Sequence, residues 1–217
     1  MFLLHKAFLV PLSFLMASSY CQAATMLVAN LTNAQENPPT TPTTTTGAPR
    51  PASFGTATFV LNDAMTAMTM SVTVSNLDFT GSQTPDSNDN LVAAHIHASP
   101  TASLTVNAPV VWGFFGSPFN DNNPDDTVVT PFSSGVGGTI TGKWDAPEGN
   151  NTILADQLAN ILSGHSYINF HTVQFGGGET RGFLQAVPEP SAVLLLSVGF
   201  VSLLGIGMQG RRKTGRQ

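Results

Sequence analysis

The chain has 217 residues, and only 10% of them are charged, against about a quarter in an average soluble domain. Its formal net charge is −5, which excludes nucleic acid as a partner because phosphate binding needs a basic face. The low charge also excludes a coiled coil and a disordered, highly charged tail.

The first 23 residues have the pattern of a secretory signal peptide. Met1–Lys6 is a short positive segment, Ala7–Ala17 is apolar, and small residues lead up to Ala23. The alternative is a lipoprotein acylated at Cys21, but bulky Tyr20 stands where such a protein has a small residue. We therefore expect export, with signal peptidase cleaving near Ala23.

Cleavage removes the only cysteine, so the exported body has neither a disulfide nor a thiolate metal site. Residues 24–187 form a body of 164 residues, which is long enough to bury a core of its own. This body has twelve acidic residues and only three basic ones, Arg50, Lys143 and Arg181, for a net charge of −9.

The body is predicted to be an all-β domain. Alternating apolar and polar residues indicate strands that are separated by clusters of glycine, asparagine, aspartate and proline. The predicted strands are Met26–Leu31, Phe54–Leu61, Thr66–Val74, Leu91–Ala98, Val110–Phe114, Thr139–Trp144, Tyr167–Thr172 and Thr180–Ala186. Strands of this length favour an antiparallel sandwich or barrel, and we expect about seven to nine of them.

One segment has helical rather than strand periodicity. Apolar residues recur at helical spacing from Ile153 to Leu162. Asn151 is placed to cap the first turn, and Gly164 is placed to end the helix. We therefore predict one short helix that connects two strands.

Two loops have biased compositions. Thr40–Pro51 is rich in threonine and proline, which predicts an extended, solvated loop. Asn120–Asp126 is rich in oxygen ligands, but it lacks the glycine and the bidentate glutamate of an EF-hand calcium loop. We therefore expect a solvated acidic turn there.

Three histidines are the candidate metal ligands, because neutral imidazole nitrogens bind copper and zinc. His95 and His97 share one face of a predicted strand, since side chains alternate along a strand. His171 lies in a later strand, on the face opposite Phe170. Alternation places all three rings on solvent-side faces, opposite core residues such as Ile96. Either they bind one metal ion, or they only hydrogen-bond to neighbouring loops.

Arg181 is the remaining candidate site residue. Alternation places its side chain on the outer face of its strand, with Leu184 facing inward. There it either pins a carboxylate such as Glu179 or attracts an anionic ligand, and we expect the structural role. The sequence shows no Ser-His-Asp set or close carboxylate pair, so we predict no catalytic residue.

The C-terminal residues form a second signal. Pro188, Glu189 and Pro190 precede the apolar run Ala192–Met208, and the basic cluster Arg211–Lys213 follows. This arrangement resembles the PEP-CTERM sorting signal of Gram-negative bacteria that make exopolysaccharide. The resemblance implies transient insertion of residues 188–217 into the inner membrane as a transmembrane helix, and removal of this tail by an exosortase. A permanent anchor with a cytoplasmic basic tail is the alternative.

Four motifs of the body resemble the CHRD domain, which was first recognised in the extracellular protein chordin. In chain order they are Leu31–Pro39, Ala94–His97, Tyr167–Thr172 and Gly178–Gly182. The resemblance implies a fold like that of immunoglobulin domains and copper/zinc superoxide dismutase, an antiparallel sandwich, here with one short connecting helix. It places the CHRD domain at residues 24–187, between the two signals.

The dismutase pattern implies copper ligands at His95, His97 and His171 and an anion guide at Arg181. No histidine lies between His97 and His165, so the bridging histidine and the zinc ligands are missing. We therefore expect at most a mononuclear Cu or Zn site. The favoured function is a non-catalytic module, secreted or at the cell surface, with extracellular polysaccharide or matrix protein as its partner. A mononuclear metal-binding protein is the alternative.

Overall fold

The structure is a computed structural model that describes residues 24–188. The strands are β1 Thr25–Thr32, β2 Phe54–Leu61, β3 Ala67–Ser75, β4 Leu91–Ala98, β5 Val110–Phe115, β6 Val128–Pro131, β7 Gly137–Asp145, β8 Ser166–Thr172, β9 Thr180–Phe183 and β10 Gln185–Ala186. The single α-helix in this region is α1, Leu154–Leu162, and a 3-10 turn, Asn33–Gln35, follows β1. The predicted all-β class is confirmed.

The predicted terminal signals lie almost entirely outside the described residues. These are the cleavage site at Ala23, Glu189 and Pro190, the apolar run Ala192–Met208 and the basic tail. Within residues 24–188, no helix has the length and apolar character needed to cross a membrane.

The ten strands form one antiparallel sheet that curls over on itself as a half-barrel. Its order is β5-β4-β8-β9-β1-β2-β3-β7-β6, and β10 pairs with β1 beside β9. Curling brings strands from the two ends of this order face to face. Trp112 of β5 stacks on Trp144 of β7 with 5.7 Å between ring centroids and 1° between ring planes. The two arms of the sheet therefore enclose one core, as the two sheets of a sandwich do.

The core follows the alternation of the strands. In β3 every second residue from Met68 to Val74 is buried, while the threonines and the serine between them are exposed. Each fully buried aliphatic or aromatic side chain contributes about 1.5–3 kcal/mol of transfer free energy. Within residues 24–188 the paired strands form one sheet around one apolar cluster, which is what an independently folding domain requires.

The predicted helix is present, but it begins later than expected. Gly164 ends it with a φ of 76°, as the sequence predicts. The predicted cap at Asn151 is wrong, because Ile153 occupies the N-cap position and forms no side-chain cap. The side chain of Asn150 donates to the carbonyl of Val110 at 3.2 Å, which ties this segment to β5 before the helix begins.

Two features of the sheet differ from the prediction. The short edge strand β6 was not predicted; it ends at Pro131, which has no N–H to donate. In β4 the pairing with β8 shifts between Leu91 and Ala93, which reverses the alternation. Val92 lies four residues before Ile96, so strict alternation predicts it on the same core face, but it is 43% exposed.

Both biased loops are held more firmly than predicted. Arg50, near the end of the threonine- and proline-rich loop, forms a buried ion pair with Glu179. In the acidic loop Asp121 is fully buried and accepts a hydrogen bond from Thr127. Burial raises the pKa of the Asp121 carboxyl to about 6. Most residues of both loops are exposed, as predicted, but each loop has a buried charged anchor that the sequence did not indicate.

Candidate metal centre

Pairing of β4 with β8 brings the three candidate histidines together. In this antiparallel pair His171 lies opposite Ala93, and Tyr167 lies opposite His97. One ring nitrogen from each of His95, His97 and His171 lies within 4.8 Å of those of the other two. The convergence that alternation allowed is therefore present in the folded chain.

The three rings are more enclosed than the sequence predicts. His95, His97 and His171 are 4%, 8% and 7% exposed, so the expectation of rings on solvent-side faces is wrong. The alternation itself is right, because Ile96 and Phe170 on the opposite face are fully buried in the core. Loops cross the outer face of the sheet and cover the histidines.

Each of the three rings is tied to a backbone carbonyl of a different loop. The bonds join His95 Nε2 to Ser117 O at 3.1 Å, His97 Nδ1 to Ala108 O at 2.9 Å, and His171 Nδ1 to Gly176 O at 3.0 Å. A carbonyl oxygen can only accept, so each of these ring nitrogens carries the proton. The remaining nitrogens, His95 Nδ1, His97 Nε2 and His171 Nε2, are left with lone pairs.

The three lone-pair nitrogens face one another without a donor. His95 Nδ1 lies 3.1 Å from His171 Nε2, and His97 Nε2 is buried with no hydrogen-bond partner in the described chain. A proton between the first two rings would either leave a loop carbonyl without its donor or create a buried imidazolium, and both are costly. One metal cation at the centre would satisfy all three nitrogens.

Burial keeps the three imidazole rings uncharged, which is the form that binds a metal ion. Burial lowers the pKa of His95 to about 4 and that of His97 to about 3, and it also lowers the pKa of His171. At neutral pH the imidazoles are therefore uncharged, and metal binding need not displace protons from them. Backbone carbonyls that accept from the other ring nitrogen fix the tautomer and orientation of ligating histidines.

The geometry is close to that of a mononuclear site. Metal–nitrogen bonds of about 2.0–2.1 Å place the nitrogens of a tetrahedral site about 3.4 Å apart. The separations here range from 3.1 Å to at most 4.8 Å, so ring movements of about 1 Å bring all three within bonding distance. Three imidazoles suit Cu or Zn and leave a fourth position for water or another ligand.

A glycine in β5 allows one covering loop to approach His95. A Cβ on Gly113 would overlap the carbonyl oxygen of Pro118 and would lie 3.1 Å from the His95 ring. Only glycine therefore lets the segment around Ser117 lie against β5 and present its carbonyl to His95. The sequence offers no signal for this role beyond a glycine inside a predicted strand.

Arg181 contacts other partners than the predicted carboxylate. It lies on the outer face but is fully buried, and it donates to the carbonyls of Gln35 and Leu104 and, at 2.9 Å, to Asn107 Oδ1. These contacts hold the loop that contains Leu104 and Asn107. The residue after Asn107 is Ala108, whose carbonyl accepts from His97. Arg181 is thus a structural clamp of the covering loops, and it has no exposed surface with which to guide an anion.

Tyr167, and not Glu179, packs against Arg181. The Arg181 guanidinium lies 4.7 Å from the centroid of the Tyr167 ring, and Tyr167 stacks on His97 with 6° between ring planes. Glu179, the predicted partner of Arg181, instead pairs with Arg50 and accepts from Thr172 at 2.7 Å. Sequence reasoning missed Tyr167 and Arg50, because neither lies in a metal-ligand pattern.

These features define a small all-β domain of sandwich type with a buried histidine cluster under three loops. A sequence model of the CHRD domain matches residues 27–184, which is 158 of the 217 residues. The chain belongs to the CHRD domain family. CHRD domains are typically extracellular, which is consistent with secretion. Neither curated proteins nor solved structures give a match.

Proposed function

We propose that this protein is an exported, non-catalytic CHRD-domain module that binds one Cu or Zn ion through His95, His97 and His171. The observation that carries the proposal is the convergence of three proton-free ring nitrogens with no donor among them. Fixed tautomers and lowered pKa values make this set ready for a metal before the metal arrives.

The proposed role of the metal is to stabilise the module. An ion held by β4 and β8 would join the two strands and, through the three carbonyl-bound rings, the covering loops. Binding to the folded state alone raises stability with metal concentration. Because Arg181 is enclosed and the body is acidic, the copper-loaded protein is not expected to attract superoxide or to turn it over appreciably.

The proton positions are the first test of the site. In zinc-free protein, long-range ¹H–¹⁵N spectra should show the proton on Nε2 of His95 and on Nδ1 of His97 and His171. The ¹⁵N shifts of His95 and His97 should not titrate between neutral pH and about pH 5, because their pKa values lie near 4 and 3. A proton exchanging between His95 and His171, or charging of either ring near pH 6.5, would contradict the site as described.

The route to the outside is a separate part of the proposal. The signals at the two ends support removal of residues up to about Ala23 by signal peptidase and removal of the tail near Pro188 by an exosortase. The intermediate would lie in the inner membrane, and the product would be secreted or held at the cell surface. Intact mass of protein from the native host should match a body of about residues 24–188. A mature species that still contains Arg211–Lys213 would exclude the sorting step.

A further inference from the structure

The donor set of the candidate metal centre carries no negative charge. Its ligand atoms are three neutral imidazole nitrogens, and no aspartate, glutamate or cysteine of the described chain joins the cluster of His95, His97 and His171. The one cysteine of the sequence, Cys21, precedes the described residues. An ion bound by these nitrogens therefore keeps its full positive charge, because no anionic ligand offsets part of it.

The immediate surroundings of the three rings add no compensating negative charge. Each ring donates to a neutral backbone carbonyl instead of a carboxylate. Burial is the main cause of their lowered pKa values; no carboxylate contributes at His95 or His171, and Arg181 adds to the lowering at His97. The Arg181 guanidinium lies 4.7 Å from the centroid of the Tyr167 ring, which lies 4.9 Å from that of His97. The charge that this stack brings towards the cluster is thus a cation.

Two buried glutamates lie in or beside the loop that covers His171, but they do not supply the missing charge. One of them, Glu179, is paired with Arg50, so the pair is neutral overall. The other, Glu36, has its pKa raised by burial to about 7, against the opposing effect of Arg181. This carboxyl is therefore about half protonated at neutral pH, and the charge that remains faces a cation.

Burial makes the charge of the ion the main determinant of its binding. The three histidines are at most 8% exposed, so water screens a bound ion only weakly. The cost of moving an ion out of water rises with the square of its charge, so it is about four times larger for a dication than for a monocation of equal size. Neutral nitrogens compensate only in proportion to the charge itself. Enclosure without an anionic ligand therefore favours a monocation.

The number of ligands favours the same kind of ion. The cluster offers three nitrogens, and the described part of the chain brings no fourth histidine or acid to it. Structural Zn²⁺ sites are almost always four-coordinate, and Cu²⁺ prefers square-planar or tetragonal surroundings. Cu⁺ has a filled d shell that imposes no such geometry, and it is stable with three nitrogens. A dication would instead have to complete its ligand shell with water inside an enclosed site.

We propose that the site formed by His95, His97 and His171 selects Cu⁺ over Cu²⁺ and Zn²⁺. The inference rests on the proposed function, because it concerns the same three ligands, and it adds which ion and which oxidation state they hold. The reasons are the neutral donor set, the cationic side chain of Arg181 behind Tyr167, and the enclosure of the rings. The exported module is then a holder of reduced copper rather than a zinc-stabilised domain.

The metal affinities of residues 24–188 test the proposal. Competition with bicinchoninate under anaerobic conditions measures the affinity for Cu⁺, and competition with nitrilotriacetate measures the affinities for Cu²⁺ and Zn²⁺. The affinity for Cu⁺ should exceed those for the two dications by at least about 100-fold. His97→Ala should weaken Cu⁺ binding by about tenfold or more. His165→Ala removes a histidine outside the cluster and should leave Cu⁺ binding unchanged.

Asn169→Asp tests whether the missing negative charge causes the selectivity. Asn169 is 2% exposed, lies opposite His95 in the pairing of β4 with β8, and shares a strand face with His171. Aspartate has nearly the same shape and places a carboxylate beside the cluster. The affinities for Cu²⁺ and Zn²⁺ should therefore rise by about tenfold or more, and that for Cu⁺ should rise less. Ser71→Asp makes the same change of charge on the exposed face of β3, and this control should leave all three affinities unchanged.

The outcomes separate failure of this inference from failure of the proposed function. Binding of Cu²⁺ or Zn²⁺ through the histidines at least as tightly as Cu⁺ would overturn the selectivity and leave the metal centre in place. No binding of any of the three ions would overturn both. Equal changes of the affinity ratio in Asn169→Asp and Ser71→Asp would overturn the charge argument. The ratio in the parent protein decides the selectivity even if Asn169→Asp does not fold.

Discussion

Replacing His97 with alanine is expected to abolish the binding of Zn²⁺ and Cu²⁺ to residues 24–188 in isothermal titration calorimetry. His97 Nε2 is one of only three converging nitrogens and is buried without another partner in the described chain. Loss of a group that only hydrogen-bonds to a metal ligand costs about 10–100-fold in metal affinity, so loss of a ligand itself should cost at least about 100-fold. The same variant should lose the metal-dependent rise in Tm that the parent protein shows.

His165→Ala is the matched control for this experiment. His165 lies in the turn after α1, where its Nδ1 is 2.9 Å from the hydroxyl of Ser163, and it is not part of the histidine cluster. Its removal should leave metal affinity unchanged. Equal affinity in both variants, or no binding by the parent protein, would return the three histidines to a purely structural role.

Arg50→Met is expected to destabilise the domain by about 3–5 kcal/mol in urea unfolding. The side chains of Arg50 and Glu179 are 5% and 0% exposed. Methionine keeps the apolar length of the side chain but leaves the buried Glu179 carboxylate without its charge partner. Because this pair ties the threonine- and proline-rich loop to the residue that precedes β9, the loop contacts of Thr43 should weaken as well.

Lys143→Met provides the comparison for the buried pair. Lys143 pairs with Asp126 at 2.9 Å and with Asp145 at 3.1 Å, but its side chain is 32% exposed. Solvent screening limits such surface pairs to about 0–1 kcal/mol. In the Arg50→Met background, Glu179→Gln should recover part of the lost stability by removing the stranded charge. Equal losses in Arg50→Met and Lys143→Met would contradict the account of a buried, structural ion pair.

Local pattern was sufficient to predict most of the sheet. Alternation gives Phe54–Leu61 and Leu91–Ala98 the bounds that the structure has. It also places His95, His97 and His171 on faces opposite the core, because the side-chain period of two is a property of any strand. Where the backbone departs from that period, as at Val92, the prediction fails.

The covering loops could not be predicted in the same way. A ring on the outer face of a strand is exposed or enclosed according to which distant segments cross it, and alternation carries no information about them. Arg50 pairs with Glu179, which is 129 positions away in the sequence. Arg181 donates to the carbonyl of Leu104, which is 77 positions away. The tautomers of the histidines depend on backbone carbonyls of the loops. Every residue has such a carbonyl, so the sequence does not indicate which one accepts from a histidine. For these reasons the faces on which the histidines lie were predictable, whereas their burial and the partners of Arg181 were not.

Pulsed EPR of Cu²⁺-loaded residues 24–188 tests the central claim most directly. Couplings from three histidine imidazoles to one copper ion are expected in the parent protein, and His97→Ala should remove one of them or prevent copper binding. His165→Ala should leave the spectrum unchanged. A copper signal with fewer than three histidine couplings in the parent protein, or one that His165→Ala alters and His97→Ala does not, would contradict the site formed by His95, His97 and His171.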